Sequence, residues 1–212
     1  MNPAVSTERK EPFLNSSENS SGQYLPIMMK IYKDGKLTAA LKNKNFVGVN
    51  VKFSSTRGLG LELETTNPGR IIVMAGGTGL FPFSDLIDLL YKDYMIKKNH
   101  RMSKELLAAD PILEQKPFER NTFVFLIAIA EPEDVHPITL SQLSQLSEQE
   151  DKVKIVLRVS RNGDQLRDTG KIEFTKEYFN KRIVSEAAMK GLSRIWICGP
   201  PKMSSETAWI LV

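Results

Sequence analysis

Two short stretches of this chain have residue types and spacing suited to chemistry. The first is Ala75-Gly76-Gly77-Thr78-Gly79-Leu80-Phe81-Pro82, reached directly from the apolar run Ile71-Ile72-Val73-Met74. Glycines let backbone approach a bulky ligand with no Cβ in the way. The proline-started amphipathic segment that follows reads as a helix. Its first N–H groups and positive dipole end favour a phosphate. The pattern is that of a strand, a glycine turn and a helix holding a nucleotide pyrophosphate. The second stretch is Cys198-Gly199-Pro200-Pro201-Lys202-Met203, after Ser193-Arg194-Ile195-Trp196-Ile197. It sets a thiol at the carboxyl end of a strand and then forces a stiff turn. Two readings stand for Cys198, a functional group at a ligand or a small buried residue.

These stretches need a scaffold, and the hydrophobic rhythm supplies one. Strands are expected over 71–75, 122–130, 153–160 and 194–198, with a short extended piece at 170–174. Helices are expected over about Pro82–Lys98, Leu140–Leu146, Phe179–Gly191 and from Ser204 onward, with a further short one near Leu106. Strands alternating with helices imply βαβ units, so the expected class is α/β with a doubly wound parallel sheet. In such sheets ligands lie outside the carboxyl ends of strands, where strand order reverses. The glycine turn and the Cys-Gly-Pro-Pro turn would then face each other across one crevice. Before the sheet, residues 1–22 read as a polar, disordered tail, and 23–66 as a smaller unit of strands and one helix. Leu61-Glu62-Leu63 is a candidate brief strand, and Thr65 to Arg70, which contains Asn-Pro-Gly, a linker into a domain over 67–212.

Composition narrows the classes. The net charge is +4 over 212 residues, and no basic cluster is interleaved with aromatics, so a nucleic-acid partner is not expected. His100 and His136 have no neighbouring cysteine or paired carboxylates, so no metal site is expected. The one cysteine permits no intramolecular disulfide, which suits a reducing, intracellular setting such as cytoplasm or an organelle matrix. No apolar run is long enough for a membrane span.

With these residues in place, the chain resembles the ferredoxin–NADP reductase-like flavoproteins, of the cytochrome b5 reductase and nitrate reductase flavin-module type. The glycine stretch resembles that family's A-G-G-T-G-I-T-P loop, and the cysteine stretch its C-G-P-P-x-M loop. Upstream, Lys30-Ile31-Tyr32-Lys33-Asp34-Gly35-Lys36-Leu37-Thr38 resembles the end of its flavin domain. The resemblance implies NAD(P)H along the carboxyl edge of the sheet, with the pyrophosphate near Gly76, Gly77, Thr78 and Gly79. Pro82, Gly199, Pro200 and Met203 would frame it. Cys198 would lie beside the nicotinamide and align its hydride toward the flavin. Lys30, Tyr32, Gly35, Lys36, Leu37 and Thr38 would hold FAD, and Ser160 and Arg161 would meet the adenosine end, where NADP-using members set a Ser and an Arg against the 2′-phosphate; Arg161 reads equally as a turn residue before Asn162-Gly163. Electrons would pass to an acceptor protein or domain carrying heme or an iron–sulfur centre.

The sequence also departs from that pattern. Where the family often has Asn-Arg-Thr, Ala130-Glu131-Pro132 stands, adding a negative charge that disfavours a nearby phosphate. No R-x-Y-S/T element precedes Lys30, and 23–66 is too short for a closed flavin barrel. The expectation is therefore a partial antiparallel barrel segment ahead of the nucleotide domain. Three explanations remain open: a fragment, a barrel completed by another polypeptide, or a member that keeps the fold without flavin. The class that competes with an oxidoreductase module is a non-catalytic nucleotide-binding or structural subunit.

Overall fold

A computed structural model of the chain describes residues 36, 41, 60–63, 67–98, 113, 119–149, 151–166, 170–179, 181–188 and 191–210. The chain divides into two units, Met1–Phe46 and Val47–Val212, and every element below belongs to the second. The expected tail, most of 23–66 and the short helix near Leu106 lie outside the described residues.

Five parallel strands form one sheet: β1 (Gly69–Gly76), β2 (Asn121–Ile129), β3 (Val153–Val159), β4 (Glu173–Thr175) and β5 (Leu192–Cys198). Their order is β4-β3-β2-β1-β5. Four α-helices accompany them among the described residues: α1 (Ser84–Lys98), α2 (Pro137–Leu146), α3 (Lys181–Ala188) and α4 (Pro201–Ile210).

The strand sequences explain the layering. β1 and β2 read as unbroken apolar runs because both their faces are covered. On the first face Ile71, Val73, Phe123, Phe125, Ile127, Ile155 and Leu157 pack with Leu86, Ile87 and Leu90 of α1 and Leu143 and Leu146 of α2. On the second face Ile72, Met74, Val124, Leu126 and Val156 pack with Val184 of α3. Burying one such side chain contributes about 1.5–3 kcal/mol. β3 alternates instead: Val153, Ile155, Leu157 and Val159 face the first layer, while Lys154 and Arg158 fall on the second. The second cover has thinned there, so Lys154 and Arg158 stand on either side of the buried Val156.

α1 and α2 are also joined by a polar ladder that no sequence period announces. Asp88 accepts from Gln142 Nε2 at 2.8 Å, Tyr91 Oη donates to Gln145 Oε1 at 3.4 Å, and Tyr94 Oη donates to Glu148 Oε2 at 2.7 Å. The rungs recur every three residues on both segments, as neighbouring ridges of two packed helices do. Lys98 Nζ closes the end, donating to Tyr94 Oη at 2.8 Å and lying 3.4 Å from Glu148. Hydrogen bonding from Tyr94 and then Lys98 holds the Glu148 carboxyl below its ordinary range. Tyr94, then Glu148, raises the Lys98 ammonium above its ordinary range.

Element boundaries shift from expectation in ways that local chemistry explains. The turn after β1 is already helical: a 3-10 segment runs from Gly77 to Phe83 and continues into α1 at Ser84. α4 starts at Pro201 rather than Ser204, since a proline at the first helical position forfeits no hydrogen bond. Leu61-Glu62-Leu63 is not a strand; Gly60 (φ 67°) and Glu62 (φ 47°) are left-handed and shape a turn. That turn packs Leu61 and Leu63 on the first core and is tied to β5 by Arg194, whose Nη1 donates to the Leu61 carbonyl at 3.3 Å.

Candidate functional site

The strand order places the two glycine-bearing loops side by side. β1 is flanked by β2 on one side and β5 on the other, so the order reverses between β1 and β5. Because the two strands are parallel and Ala75 pairs with Cys198, both loops leave the same edge at the same height. This is the reversal point where open α/β sheets receive ligands.

The loops touch through their backbones. A Cβ at Gly79 would meet the carbonyl of Cys198 and come within 2.7 Å of the Gly199 nitrogen. A Cβ at Gly76 would lie 2.8 Å from Pro200 Cδ and 3.0 Å from Met203 Sδ. A Cβ at Gly199 would lie 2.5 Å from Met203 Cε and 3.0 Å from the Gly76 nitrogen. Three glycines thus permit a contact of loop on loop, and a side chain at Gly79 displaces the second loop before it meets any ligand. Gly77 differs: its φ is +54° and a Cβ would meet nothing within 4 Å, so its glycine answers a backbone turn, with open space above it. Thr78 beside it is half-buried, Pro82 is exposed, and Leu80 and Phe83 anchor the segment in the first core.

Gly76, Gly77, Thr78, Gly79, Cys198, Gly199, Pro200 and Met203 therefore lie together on the two loops, which touch where a crevice between them was expected. Cys198 is a free, half-buried thiol packed against the first core, on the same side of the sheet as Trp196. Ser160 and Arg161 lie on the same carboxyl edge, beyond β2, at the end of β3. Lys30, Tyr32, Gly35, Leu37 and Thr38 are outside the described residues, and Lys36 is exposed in the first unit.

The end of β3 holds contacts that sequence did not announce. Arg161 Nη2 is 3.1 Å from Glu131 Oε1, an ion pair between the loops after β3 and β2. Backbone bonds bind the same loops: Ser160 N–H donates to the Ile129 carbonyl at 3.1 Å and Arg161 N–H to the Ala130 carbonyl at 2.8 Å. Arg158, on the second face, donates from Nη1 to Ser160 Oγ at 2.9 Å and stacks on the Tyr178 ring at 3.9 Å. Its Nε is buried without a hydrogen-bond partner. The alternation within Val153–Val159 could have flagged Arg158 as facing the thinner layer, but nothing in the spacing points to Tyr178. His136, weighed only as a metal ligand, caps α2 by accepting from Ile138 N–H at 3.3 Å. No three His, Cys, Asp or Glu side chains gather as a metal cluster among the described residues. No helix among them is long and apolar enough to cross a membrane.

Against known proteins, no family model and no curated protein matches the sequence. Among solved structures, the chain is similar to the CS-b5R domains of human Ncb5or in its NAD+ form. The TM-score is 0.49 and the identity 14%, over 90% of this chain and 47% of that one. The chain spans about half the length of that structure. At such distance no residue role passes from one to the other.

Proposed function

We propose that this chain is the nucleotide-binding module of an NAD(P)H-dependent flavoprotein oxidoreductase. What supports this most is the meeting of the Gly76–Gly79 turn and the Cys198–Pro200 turn at the order reversal of a parallel sheet. The fit rests on the chain's own groups. Gly77 offers left-handed backbone with open space above it, and the N–H groups of a helical turn begin there. Thr78 would hydrogen-bond the nucleotide, and Cys198 would pack at its nicotinamide end. When bound, the nucleotide would supply a hydride for FAD, and the protein would supply alignment. FAD itself, its ligands Lys30, Tyr32, Gly35, Lys36, Leu37 and Thr38, an electron-acceptor protein and a second polypeptide completing the flavin barrel belong to this proposal through the family resemblance.

A second reading has an observation of its own. Gly76, Gly79 and Gly199 are each accounted for by loop-on-loop packing, which a non-catalytic or structural subunit on the same fold would need equally. One measurement separates the two. The purified chain is titrated with NADH and with NADPH, following its melting temperature and visible spectrum. Stabilisation by a nucleotide supports the site, about 2.7 kcal/mol at a hundredfold excess over Kd. A flavin band bleached by the nucleotide supports the oxidoreductase. Stabilisation of a colourless chain leaves a binding module, and no response to either nucleotide refutes the site.

A further inference from the structure

The loops beyond β2 and β3 say which nucleotide this edge would accept. This step rests on the site proposed above. With a pyrophosphate over Gly76–Gly79 and the nicotinamide toward Cys198, the adenosine half must run the other way, over the ends of β2 and β3. Those ends lie about 5 and about 10 Å from β1 at ordinary strand spacing. Glu131 follows β2 directly and Arg161 follows β3, and the two are paired at 3.1 Å.

Glu131 is held there. Asp134 Oδ2 accepts from Ala130 N–H at 3.1 Å and from Glu131 N–H at 3.2 Å, fixing the backbone at the strand end. The charges do not favour a dianion. The loop after β2 carries Glu131, Glu133 and Asp134, and Arg161 on the loop after β3 is paired with the first of them. Arg158 is already engaged by the Tyr178 ring and Ser160, and Arg161 by Glu131. A phosphate on the adenosine ribose would meet the Glu131 carboxylate or have to displace it from Arg161. A ribose with free hydroxyls has the opposite relation to that carboxylate. Its O–H groups donate and the carboxylate accepts, in a charge-assisted bond.

We infer that Glu131 is a specificity-determining residue that selects a dinucleotide with an unphosphorylated adenosine ribose, NADH over NADPH, and that its ion pair with Arg161 withholds the guanidinium from a 2′-phosphate. The test is calorimetric titration of the whole chain with NADH and with NADPH, for the native sequence, Glu131→Gln and Arg161→Gln. The native chain binds NADH tighter by about tenfold, the scale of one like-charge contact at a half-exposed site. Glu131→Gln, which keeps shape and removes the charge, brings the two affinities together by strengthening NADPH. Arg161→Gln leaves the carboxylate without its countercharge and widens the preference. The opposed signs distinguish selectivity from damage, and melting curves check that each variant folds; if one does not, the sign of the other decides. Equal or tighter binding of NADPH by the native chain overturns the inference while leaving the nucleotide site standing. So does an affinity ratio that neither variant moves. Binding of neither nucleotide overturns both.

Discussion

Replacing Gly79 by Ala tests whether the two loops are truly one packed unit. Gly79 has no left-handed φ, so alanine suits its backbone, and any penalty must come from contact. The added methyl would meet the Cys198 carbonyl and stand 2.7 Å from the Gly199 nitrogen, all backbone that cannot rotate aside. Restoring an ordinary separation of about 3.4 Å or more pushes the second loop away by at least several tenths of an ångström. This occurs where Ala75 and Cys198 end the β1–β5 ladder. Overpacking of this kind costs about 1–3 kcal/mol. Alanine also restricts the unfolded chain, which offsets about 0.4–1 kcal/mol of that. For a chain of this length each kcal/mol moves the melting temperature by about 2–4 °C. Gly79→Ala should therefore melt several degrees lower in a calorimetric scan. Gly77→Ala is the contrasting case: nothing lies within 4 Å of its Cβ, and its φ of +54° alone penalises alanine by about 1 kcal/mol. Asparagine, which tolerates that conformation, should recover part of the loss at position 77 and none at 79. A Gly79→Ala protein as stable as the native chain, or one rescued by asparagine at that position, would refute the loop-on-loop account.

Two further outcomes follow from the core and the ladder. Ile127→Ala, at a position with no exposed surface, should cost about 2–5 kcal/mol in urea unfolding, whereas Leu192→Ala, 41% exposed, should stay within about 0.5 kcal/mol; equal effects would contradict the layering. The Glu148 carboxyl titrates below its unfolded value, so its contribution is present above that value, 4.5, and is lost as pH falls through the lower folded value. Tyr94→Phe removes the first cause of that shift, so the acid limb of stability against pH should become shallower, and an unchanged limb would remove Tyr94 from the ladder. Lys98 has the opposite sign: its contribution holds below 10.5 and fades as pH rises through its higher folded value.

The sequence alone established the unbroken apolar runs of β1 and β2, the strand–helix alternation and the two loops, because these are local. A strand buried on both faces must be apolar at every position, and a close approach of backbone must be glycine. The α/β class and the adjacency of the two loops follow from those patterns and general topology; that the loops touch instead of facing each other across a crevice does not. What local pattern cannot carry is distance along the chain. The pairing of Arg161 with Glu131, the stacking of Arg158 on Tyr178 and the Asp88–Gln142, Tyr91–Gln145 and Tyr94–Glu148 rungs join residues that no period links. The role of Gly79 was likewise decided by folding. Its type predicted a close approach, but only the register of β1 against β5 determined that the approaching group is the Cys198 backbone. Residue type states which contact a position tolerates, and the packing of remote strands selects the neighbour that makes it.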